Sequence, residues 1–390
     1  MAFDPVAAAR AAVTAAWAAG MKAPPIRGPA EWADAERILG TGESPFPGRW
    51  ATDRTPYMRE PMQRMSLHDP AEEVILKMAA QIAKTQGVLC FIGQIIAEMP
   101  CSAMIVTPSI SEAITFNKDK LQPLIENTPS VAAKVDPSRS SAFYKWFPGG
   151  NVELVGANSS KGLQSRSRRV VIQDEVSEYP FDVDGRGDPV EMADARANAY
   201  GRRAKRIKLS TPAIVGSCRI STAYEAGSGG KYYVPCPHCG ERQELIFSRL
   251  HYDSRNPSVA SYACGLCGAL IPEGAKADML AAGVWVHARP ELALIRPSYA
   301  LSALYSPFQP WSWVAQRREA TRGDPQKDRA FVQQVLGEAW QPTYNTVPHQ
   351  VLWERRTAWE PKQIPAYVLF LEGATHVQGD RLEWAVYGFD

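Results

Sequence analysis

A short β-branched run that ends in two adjacent carboxylates is the feature that most constrains the fold of this chain. Residues 169–175 read RVVIQDE. Buried parallel strands have near-continuous Val and Ile runs, and ligands of open α/β sheets bind beyond the carboxyl ends of such strands. The run therefore predicts a buried strand that presents Asp174 and Glu175 at the edge of a sheet. Two interpretations stay open: a cap on the following helix, or the carboxylates of a P-loop ATPase that hold Mg²⁺ and polarise the attacking water.

The composition is that of a globular protein with room for two to three domains. The chain has 390 residues, of which 45% are hydrophobic and 22% charged, and this length can bury a large core. No apolar run reaches membrane-spanning length, and the Ala-rich start lacks the features of an export signal. That start predicts an amphipathic helix with Asp4 as its cap and Pro5 in its first turn, extending to Ala19.

Basic residues cluster locally, although the net charge of +2 neither requires nor excludes nucleic acid. One cluster falls within seven residues, and another lies just before the acidic strand. The clusters are Arg202, Arg203, Lys205, Arg206 and Lys208, and Arg166, Arg168 and Arg169. Such groups either neutralise nucleic-acid phosphates or form a solvated surface beside a strand, and both interpretations stay open.

The seven cysteines fall into two classes. Three are scattered, whereas Cys236 and Cys239, and Cys264 and Cys267, form C-x-x-C pairs that are each followed by glycine. This is the spacing of a zinc ribbon, in which four thiolates close the coordination sphere of a structural ion. Disulfides are the alternative, but three unpaired cysteines and the lack of an export signal favour a reducing compartment. We therefore expect a structural Zn²⁺ in this region.

A candidate phosphate-binding loop precedes the acidic strand. Residues 74–76 predict a strand, Lys84 and Thr85 have the order of the last two residues of a P-loop, and residues 87–96 predict a buried helix. In that arrangement Lys84 reaches the β- and γ-phosphates and Thr85 ligates Mg²⁺. Met78 and Ala83 replace the glycines of the G-x-x-x-x-G-K-[ST] pattern.

Further strands are predicted downstream of this loop. They fall at residues 103–108, 151–156 and 207–212, and the first and last of them end in Thr-Pro. Strands that alternate with helical stretches predict a parallel α/β sheet.

Eight segments carry a family resemblance. They are PGRWATDRTPYMREPM (47–62), AAQIAKTQ (79–86), VGANSSKGLQSR (155–166), VVIQDEVSEYP (170–180), LSTP (209–212), VPCPHCGE (234–241), LSALYSP (301–307) and VLGEAW (335–340). In identity, order and spacing they resemble the large subunit of lambda-type phage terminases, the motor that packages viral DNA. The resemblance implies an α/β fold: a P-loop NTPase with a helicase-like parallel sheet, a zinc-ribbon insertion and the first hairpin of a ribonuclease H-like nuclease domain.

The resemblance also implies a domain organisation. We expect an N-terminal helical segment on the adenine side over residues 1–65 and an ATPase domain over 66–345. The zinc-ribbon insertion covers residues 230–272 of that domain. A linker over 346–365 leads to a truncated start of the nuclease domain over 366–390.

The roles of individual residues follow from the same resemblance. The phosphate loop would include Ala83, Lys84, Thr85 and Gln86. Asp174 would hold Mg²⁺ and Glu175 would be the catalytic base. Ser210 and Thr211 would form the coupling motif, and Arg54 and Tyr57 lie where related motors contact adenine. Arg166 is the candidate for an arginine that stabilises the transferring phosphate, including from a neighbouring subunit. A contact of Arg166 with DNA phosphate and a structural ion pair are the alternatives.

The cofactors that the resemblance implies are ATP, Mg²⁺ and one structural Zn²⁺. The implied partners are double-stranded DNA, a small terminase subunit and a portal protein, with the chain in a homo-oligomeric ring in the host cytoplasm and no membrane involved. A catalytically impaired prophage remnant that only binds DNA or assists assembly stays open as the alternative.

Two departures from the family pattern bear on activity. The family has K-x-A-Q-V-G-K-T, whereas this chain has Met78 at the first position, Lys77 displaced by one, and Ala83 in place of glycine. A Cβ at a position of positive φ costs about 1 kcal/mol, so we expect impaired ATP binding or turnover. His376 stands where the family has a metal-binding Asp, and the sequence ends at Asp390. Two-metal cleavage needs several carboxylates, so we expect no DNA cleavage by this polypeptide.

Overall fold

The β-branched runs of the sequence become neighbouring strands of one large sheet. The structure is a computed structural model that describes residues 5–20, 26–164, 166–341, 363–364, 366, 368–377 and 382–389. The chain divides into two units, Met1–Gln341 and Pro342–Asp390. The predicted helix cap Asp4 and most of the predicted linker over 346–365 lie outside the described residues.

The strands are, in chain order, β1 Ile38–Leu39, β2 Gly48–Arg49, β3 Glu73–Met78, β4 Ser102–Thr107, β5 Tyr144–Phe147, β6 Gly150–Gly156, β7 Val170–Asp174, β8 Lys205–Ser210, β9 Gly230–Pro235, β10 Arg242–Glu244, β11 Leu250–Asp253, β12 Asn256–Ala263, β13 Leu270–Pro272, β14 Val284–His287, β15 Ser298–Leu301, β16 Phe370–Val377 and β17 Leu382–Phe389. The α-helices are α1 Pro5–Gly20, α2 Pro29–Glu36, α3 Arg59–Met65, α4 Lys84–Ala97, α5 Ile110–Phe116, α6 Gln122–Asn127, α7 Pro129–Ala132, α8 Ser160–Gln164, α9 Pro189–Asp194, α10 Arg219–Ala226, α11 Lys276–Ala281, α12 Trp311–Thr321 and α13 Pro325–Ala330.

The main sheet has the strand order β10-β9-β15-β3-β8-β7-β4-β6-β5, and β14 pairs with β9. Neighbours from β15 to β6 are parallel, whereas β5, β10 and β14 pair antiparallel to their neighbours. Every residue of β7 is buried between β4 and β8. The predicted parallel α/β sheet is confirmed, and β3, β8, β7 and β4 all end at the same edge.

The helices cover both faces of this sheet, and the sheet separates the hydrophobic core into two parts. Val74, Leu76 and Met78 of β3 pack with α4 on one face. Ile75 packs with Ile220 of α10 on the other face. This alternation follows from the period of two along a strand, and it decides on which side of the sheet each side chain of β3 lies.

A π-helical turn interrupts the helix that follows β4. The turn covers Asn117–Leu121 and joins α5 to α6 without a break in the chain of helical residues. Ser109 caps the start of α5, because its Oγ accepts a hydrogen bond from the backbone N–H of Glu112 at 3.3 Å. Because β4 ends at the same edge as β7, this helix begins beside the acidic pair.

The basic cluster at 202–208 is divided by burial: Arg202 and Arg203 are exposed before β8, whereas Lys205 and Lys208 within it are buried. The buried ammonium of Lys205 donates to backbone carbonyl oxygens, including that of Ala71, and burial lowers the pKa of Lys205 to about 8. Lys208 bridges Glu73 at 2.7 Å and Asp194 at 2.8 Å. These two lysines are internal counter-ions, so neither is available to nucleic-acid phosphates or forms part of a solvated surface.

The second unit contains one antiparallel hairpin among its described residues. Strands β16 and β17 pair from Phe370 opposite Phe389 to Val377 opposite Leu382. The rings of Phe370 and Phe389 stack with centroids 4.7 Å apart. A hairpin is observed where one was predicted, and its place in a ribonuclease H-like domain stays a prediction. Among the described residues of both units, no helix has the length and apolar character needed to span a membrane.

Candidate functional site

The loop between β3 and α4 has a strained backbone. Gln81 and Ala83 both have positive φ, at 57° and 68°, in the left-handed region that non-glycine residues rarely occupy. The first N–H groups of α4 have no intrahelical acceptor and lie at this loop. A loop of this kind followed by a helix N-terminus favours the binding of anions such as phosphate.

Backbone contacts hold the loop from outside. The N–H groups of Ala79 and Ala80 donate to the carbonyl oxygens of Leu301 and Gln334, each at 2.9 Å. Gly337 lies so close that a Cβ there would meet the Ala79 nitrogen at 2.9 Å. The residues around 331–338 therefore support the loop, although they lie about 250 positions later in the sequence.

Lys77 does not take the place of the lysine that the family pattern has at position 78. The Lys77 Nζ lies 5.2 Å from the centre of the Tyr224 ring, on the face that α10 covers, and burial there lowers the pKa of Lys77. Met78 is fully buried on the face of α4. Since successive strand residues point to opposite faces, the displacement by one position places the Lys77 ammonium on the face of the sheet opposite to α4.

The structure brings four predicted site residues together at the carboxyl edge. The Lys84 Nζ lies 3.0 Å from Oε1 of Glu175. The other oxygen of Glu175 accepts hydrogen bonds from Ser210 Oγ and the Thr211 N–H, each at 3.1 Å. Glu175 itself has a φ of 53°, which turns the chain sharply at the end of β7. Thr85, in the first turn of α4, is half-buried.

The two carboxylates of the pair differ in their surroundings. Burial disfavours the charged form of Glu175, but Lys84 and the hydrogen bonds from Thr211 and Ser210 outweigh it and hold the pKa of Glu175 below its usual value. Burial raises the pKa of Asp174 to about 6, an increase that the nearby Lys120 ammonium opposes. The Lys120 Nζ lies 3.7 Å from Oδ2 of Asp174. Among the described residues, the buried Oδ1 of Asp174 has no hydrogen-bond partner, which fits a group that binds a cation.

A cavity of about 280 Å³ adjoins the loop between β3 and α4. Aromatic and polar side chains line it: among them are Phe46, Trp50, Arg54, Gln81, Ala83, Gln86 and Phe308. The rings of Phe46 and Phe308 are 5.5 Å apart, and the guanidinium of Arg54 lies 5.8 Å from the Phe46 ring. Flat aromatic walls beside an anion-binding loop suit a nucleobase. Tyr57 is instead fully buried, and its hydroxyl donates to the carbonyl oxygen of Ile82 at 3.3 Å.

A buried arginine that sequence reasoning missed contacts three residues that line this cavity. Arg37 pairs with Glu43 at 2.7 Å, donates to the backbone oxygen of Gln86 at 2.7 Å and also contacts the Gln86 side chain. Its guanidinium lies 5.1 Å from the Trp50 ring. The sequence signal for this ion pair is the opposite charges of Arg37 and Glu43, which lie on either side of the apolar pair Ile38-Leu39.

The structure does not bring Arg166 to the acidic pair. Arg166 is exposed between α8 and β7, and within the described residues it forms no ion pair with Asp174 or Glu175. Its neighbour in the basic cluster, Arg168, is buried and paired with Glu153.

The four paired cysteines converge on one point. Their Sγ atoms all lie within 4.8 Å of one another, with Cys236 to Cys267 and Cys239 to Cys264 at 3.9 Å. A tetrahedral Zn²⁺ with bonds of 2.3 Å needs sulfurs about 3.8 Å apart.

The two cysteine turns have the same backbone conformation. Gly240 and Gly268 have φ of 77° and 74°. Within each turn a backbone N–H approaches a sulfur at 3.4 Å, from His238 to Cys236 and from Leu266 to Cys264. The geometry fits a closed tetrahedral metal site, and the side chain of His238 is not needed as a ligand.

Comparisons with known proteins show the family of this chain. The family described as phage terminase large subunit gpA, ATPase domain, matches residues 44–285. The family described as terminase large subunit gpA, endonuclease domain, matches residues 296–390. The chain belongs to the phage terminase large subunit family. The membership predicted from the eight sequence segments is thereby confirmed.

Two relatives match most of this chain. The terminase large subunit of Escherichia phage lambda is 26% identical over 387 residues, and that of Enterobacteria phage P21 is 27% identical over 388 residues. Both matches cover 92% of this chain, which spans 60% of the length of each relative.

Solved structures of large terminases also match. The ATPase domain from Thermus phage P74-26 has 12% identity over 70% of this chain and 90% of that chain, with a TM-score of 0.40. The HK97 bacteriophage large terminase has 16% identity over 47% of this chain and 38% of that chain, with a TM-score of 0.37.

We expect Ala83→Gly to stabilise the protein by about 0.5 kcal/mol. Glycine removes a steric cost of about 1 to 2 kcal/mol from the left-handed backbone, and this exceeds the ~0.4 to 1 kcal/mol that it costs through the entropy of the unfolded chain. Ala80→Gly is the matched control in the same loop. Ala80 does not have positive φ, so this change should destabilise by about 0.4 to 1 kcal/mol through the entropy of the unfolded chain. Urea unfolding measures both. Two variants that change stability in the same direction would contradict the strain at Ala83.

We expect Asp174→Asn to stabilise the nucleotide-free protein at pH 8 by about 1 to 3 kcal/mol and to have little effect near pH 4.5. The pKa of Asp174 is about 6 in the folded chain and near 4 when unfolded. The stability that the protonated carboxyl contributes is therefore lost as the pH rises through 6. Thermal unfolding at both pH values measures the difference. Glu191→Gln, which removes an exposed carboxylate, is the control, and an equal effect of Asp174→Asn at both pH values would contradict the expectation.

Proposed function

We propose that this chain is the ATP-hydrolysing motor subunit of a phage terminase, which moves double-stranded DNA into a procapsid. The contact that carries the proposal is the 3.0 Å approach of Lys84 to Glu175, at the edge of a parallel sheet and beside a cavity that suits a nucleobase. Membership of the terminase large subunit family supports the same function.

Each residue of the site has a role in phosphoryl transfer. Lys84 and the first N–H groups of α4 bind the β- and γ-phosphates, and the cavity beside Arg54 and Gln86 receives the base. Asp174 and the Thr85 hydroxyl would hold Mg²⁺, which would supply positive charge opposite the phosphate oxygens. Glu175 orients a water and accepts its proton as the new O–P bond forms and the bond to the β-phosphate oxygen breaks.

Before nucleotide binds, Lys84 and Glu175 neutralise each other. The ion pair lowers the pKa of Glu175 and makes it a weaker base. When the triphosphate draws Lys84 away, Glu175 loses its counter-ion but stays hydrogen-bonded to Ser210 and Thr211. Binding of the substrate therefore frees Glu175 from its ion pair so that it can act as the base. The hydrogen bond from Ser210 links β8 to this change in the charge environment of Glu175.

The partners are inferred from the family. A small terminase subunit, a portal protein and double-stranded DNA would act with a homo-oligomeric ring of this chain in the host cytoplasm. The exposed Arg166 is suited to act on a nucleotide bound by a neighbouring subunit, because it lies away from the acidic pair of its own chain. Arg202 and Arg203 are exposed basic groups available to DNA phosphates. The absence of endonuclease activity stays an expectation, based on His376.

A second candidate function follows from the phosphate loop. Ala83 has the positive φ that glycine adopts without steric cost, and it lines the cavity beside the loop. This favours a catalytically impaired remnant that binds DNA or assists assembly. Nucleotide hydrolysis distinguishes the two functions.

The motor function predicts Mg²⁺-dependent ATP hydrolysis that DNA stimulates. Glu175→Gln should lower the rate by about 100-fold or more, since it removes the base. Glu178→Gln, which changes an exposed carboxylate three residues away, should hydrolyse ATP at the wild-type rate. Ala83→Gly should raise turnover. Absence of both hydrolysis and nucleotide binding in wild type and Ala83→Gly would reject the motor in favour of the remnant.

We also propose that the four clustered cysteines hold one structural Zn²⁺. Elemental analysis of protein purified without chelator should give one zinc per chain, and Cys264→Ser should lose most of it and unfold at a lower temperature, because metal binding contributes folding free energy. Cys101→Ser, which changes a cysteine outside the cluster, should keep the zinc. Zinc retained after Cys264→Ser would be incompatible with this site.

A further inference from the structure

Lys120 is a charged residue at the site that the hydrolysis steps above do not use. Its Nζ lies 3.7 Å from Oδ2 of Asp174, and it comes from the π-helical turn Asn117–Leu121. Among the described residues, Lys120 is the one cation within ion-pair distance of Asp174. π-Helical turns inside α-helices frequently mark functional sites.

Asp174 needs a cationic neighbour in the nucleotide-free protein. The residue is 5% exposed, and its Oδ1 has no hydrogen-bond partner among the described residues. An isolated buried carboxylate is costly because it has lost its hydration. Lys120 supplies the compensating charge from the side of Oδ2, while Oδ1 remains free to bind a cation.

The backbone of Lys120 is fixed by buried neighbours, whereas its side chain is partly exposed to solvent. Phe116 and Leu121, on either side of it in the helix, are buried, and the ammonium lies 4.8 Å from the centre of the Phe116 ring. The Lys120 side chain is 39% exposed, in contrast to 8% for Lys84. Lys120 can therefore leave Asp174 for solvent without unfolding the helix, whereas the motion of Lys84 is more restricted.

We propose that Lys120 is a placeholder cation, which neutralises Asp174 until a divalent metal ion takes its place. This inference rests on the proposed function, since it assigns Asp174 as the metal carboxylate. A divalent ion at Asp174 and an ammonium beside it repel each other, so binding of the ion displaces Lys120. The exchange raises the metal concentration that the site requires when no nucleotide is present.

Metal binding to the full chain without nucleotide tests this role. The probe is Mn²⁺, whose free concentration is measured by electron paramagnetic resonance at pH 8. Lys120→Gln removes the competing charge and should bind Mn²⁺ about fivefold more tightly than wild type, the change expected for loss of one partly exposed ion pair. Lys120→Arg keeps the charge and should bind as wild type does.

Two further variants locate the effect. Lys118→Gln removes an exposed lysine of the same π-helical turn and should leave Mn²⁺ affinity unchanged. Adding Asp174→Asn to Lys120→Gln should abolish the gain. Equal Mn²⁺ binding by Lys120→Gln and wild type, including undetectable binding by both, overturns the proposal, as does an equal gain from Lys118→Gln or a gain that survives Asp174→Asn.

The outcome is separable from that of the proposed function. Mn²⁺ affinity is measured without ATP, so a chain that fails to hydrolyse ATP still reports whether Lys120 competes at Asp174. If hydrolysis occurs but Lys120→Gln leaves Mn²⁺ binding unchanged, only the placeholder role is rejected.

Discussion

The parallel hydrogen bonding of β3, β8 and β7 is the constraint on which the site depends. Its register pairs Lys77 with Ser210 and Asp174 with Leu209, so the three strands end within about one residue of each other. Groups that are about 90 and 35 positions apart in the sequence thereby meet at one edge. A slip by one residue would turn each side chain to the opposite face and separate Glu175 from its partners.

Strain and buried charge are concentrated where those strands end. Non-glycine residues at 81, 83 and 175 have positive φ, and each adds a cost that the surrounding packing must offset. The buried ionic groups there are held by partners on several different segments of the chain, as Lys84 and Glu175 illustrate. The nucleotide-free protein thus supplies internal counter-ions for carboxylates whose proposed ligands are a metal ion and an activated water.

The strands and the two cysteine turns could be predicted because their signals are local. Runs of Val and Ile gave β7 and β4 to within a residue or two, and C-x-x-C spacing gave the sulfur cluster. The strand β15 has the sequence SYAL, which carries no such signal, and it forms because β3 and β9 offer it hydrogen bonds on both sides. Lys120 and Arg37 were missed for the same reason, since their partners are distant in sequence and their environment is set by packing. Lys205 and Lys208 resembled a phosphate-binding cluster because composition does not reveal that both faces of the strand that carries them are covered.

The position of β15 has a consequence for how the two matched families divide the chain. The endonuclease family begins to match at residue 296, yet β15 at Ser298–Leu301 lies between β9 and β3, and the segment after it supports the phosphate loop through Gln334 and Gly337. The last strand of the main sheet in chain order is thus drawn from sequence that matches the endonuclease family and not the ATPase family. A protein cut at this junction would lose hydrogen bonds on one side of β3 and the backing of its loop. The regions that match the two families are therefore not separate structural units. A force that pulls on the chain beyond residue 341 would act on a segment that contacts the loop between β3 and α4 through Gln334 and Gly337.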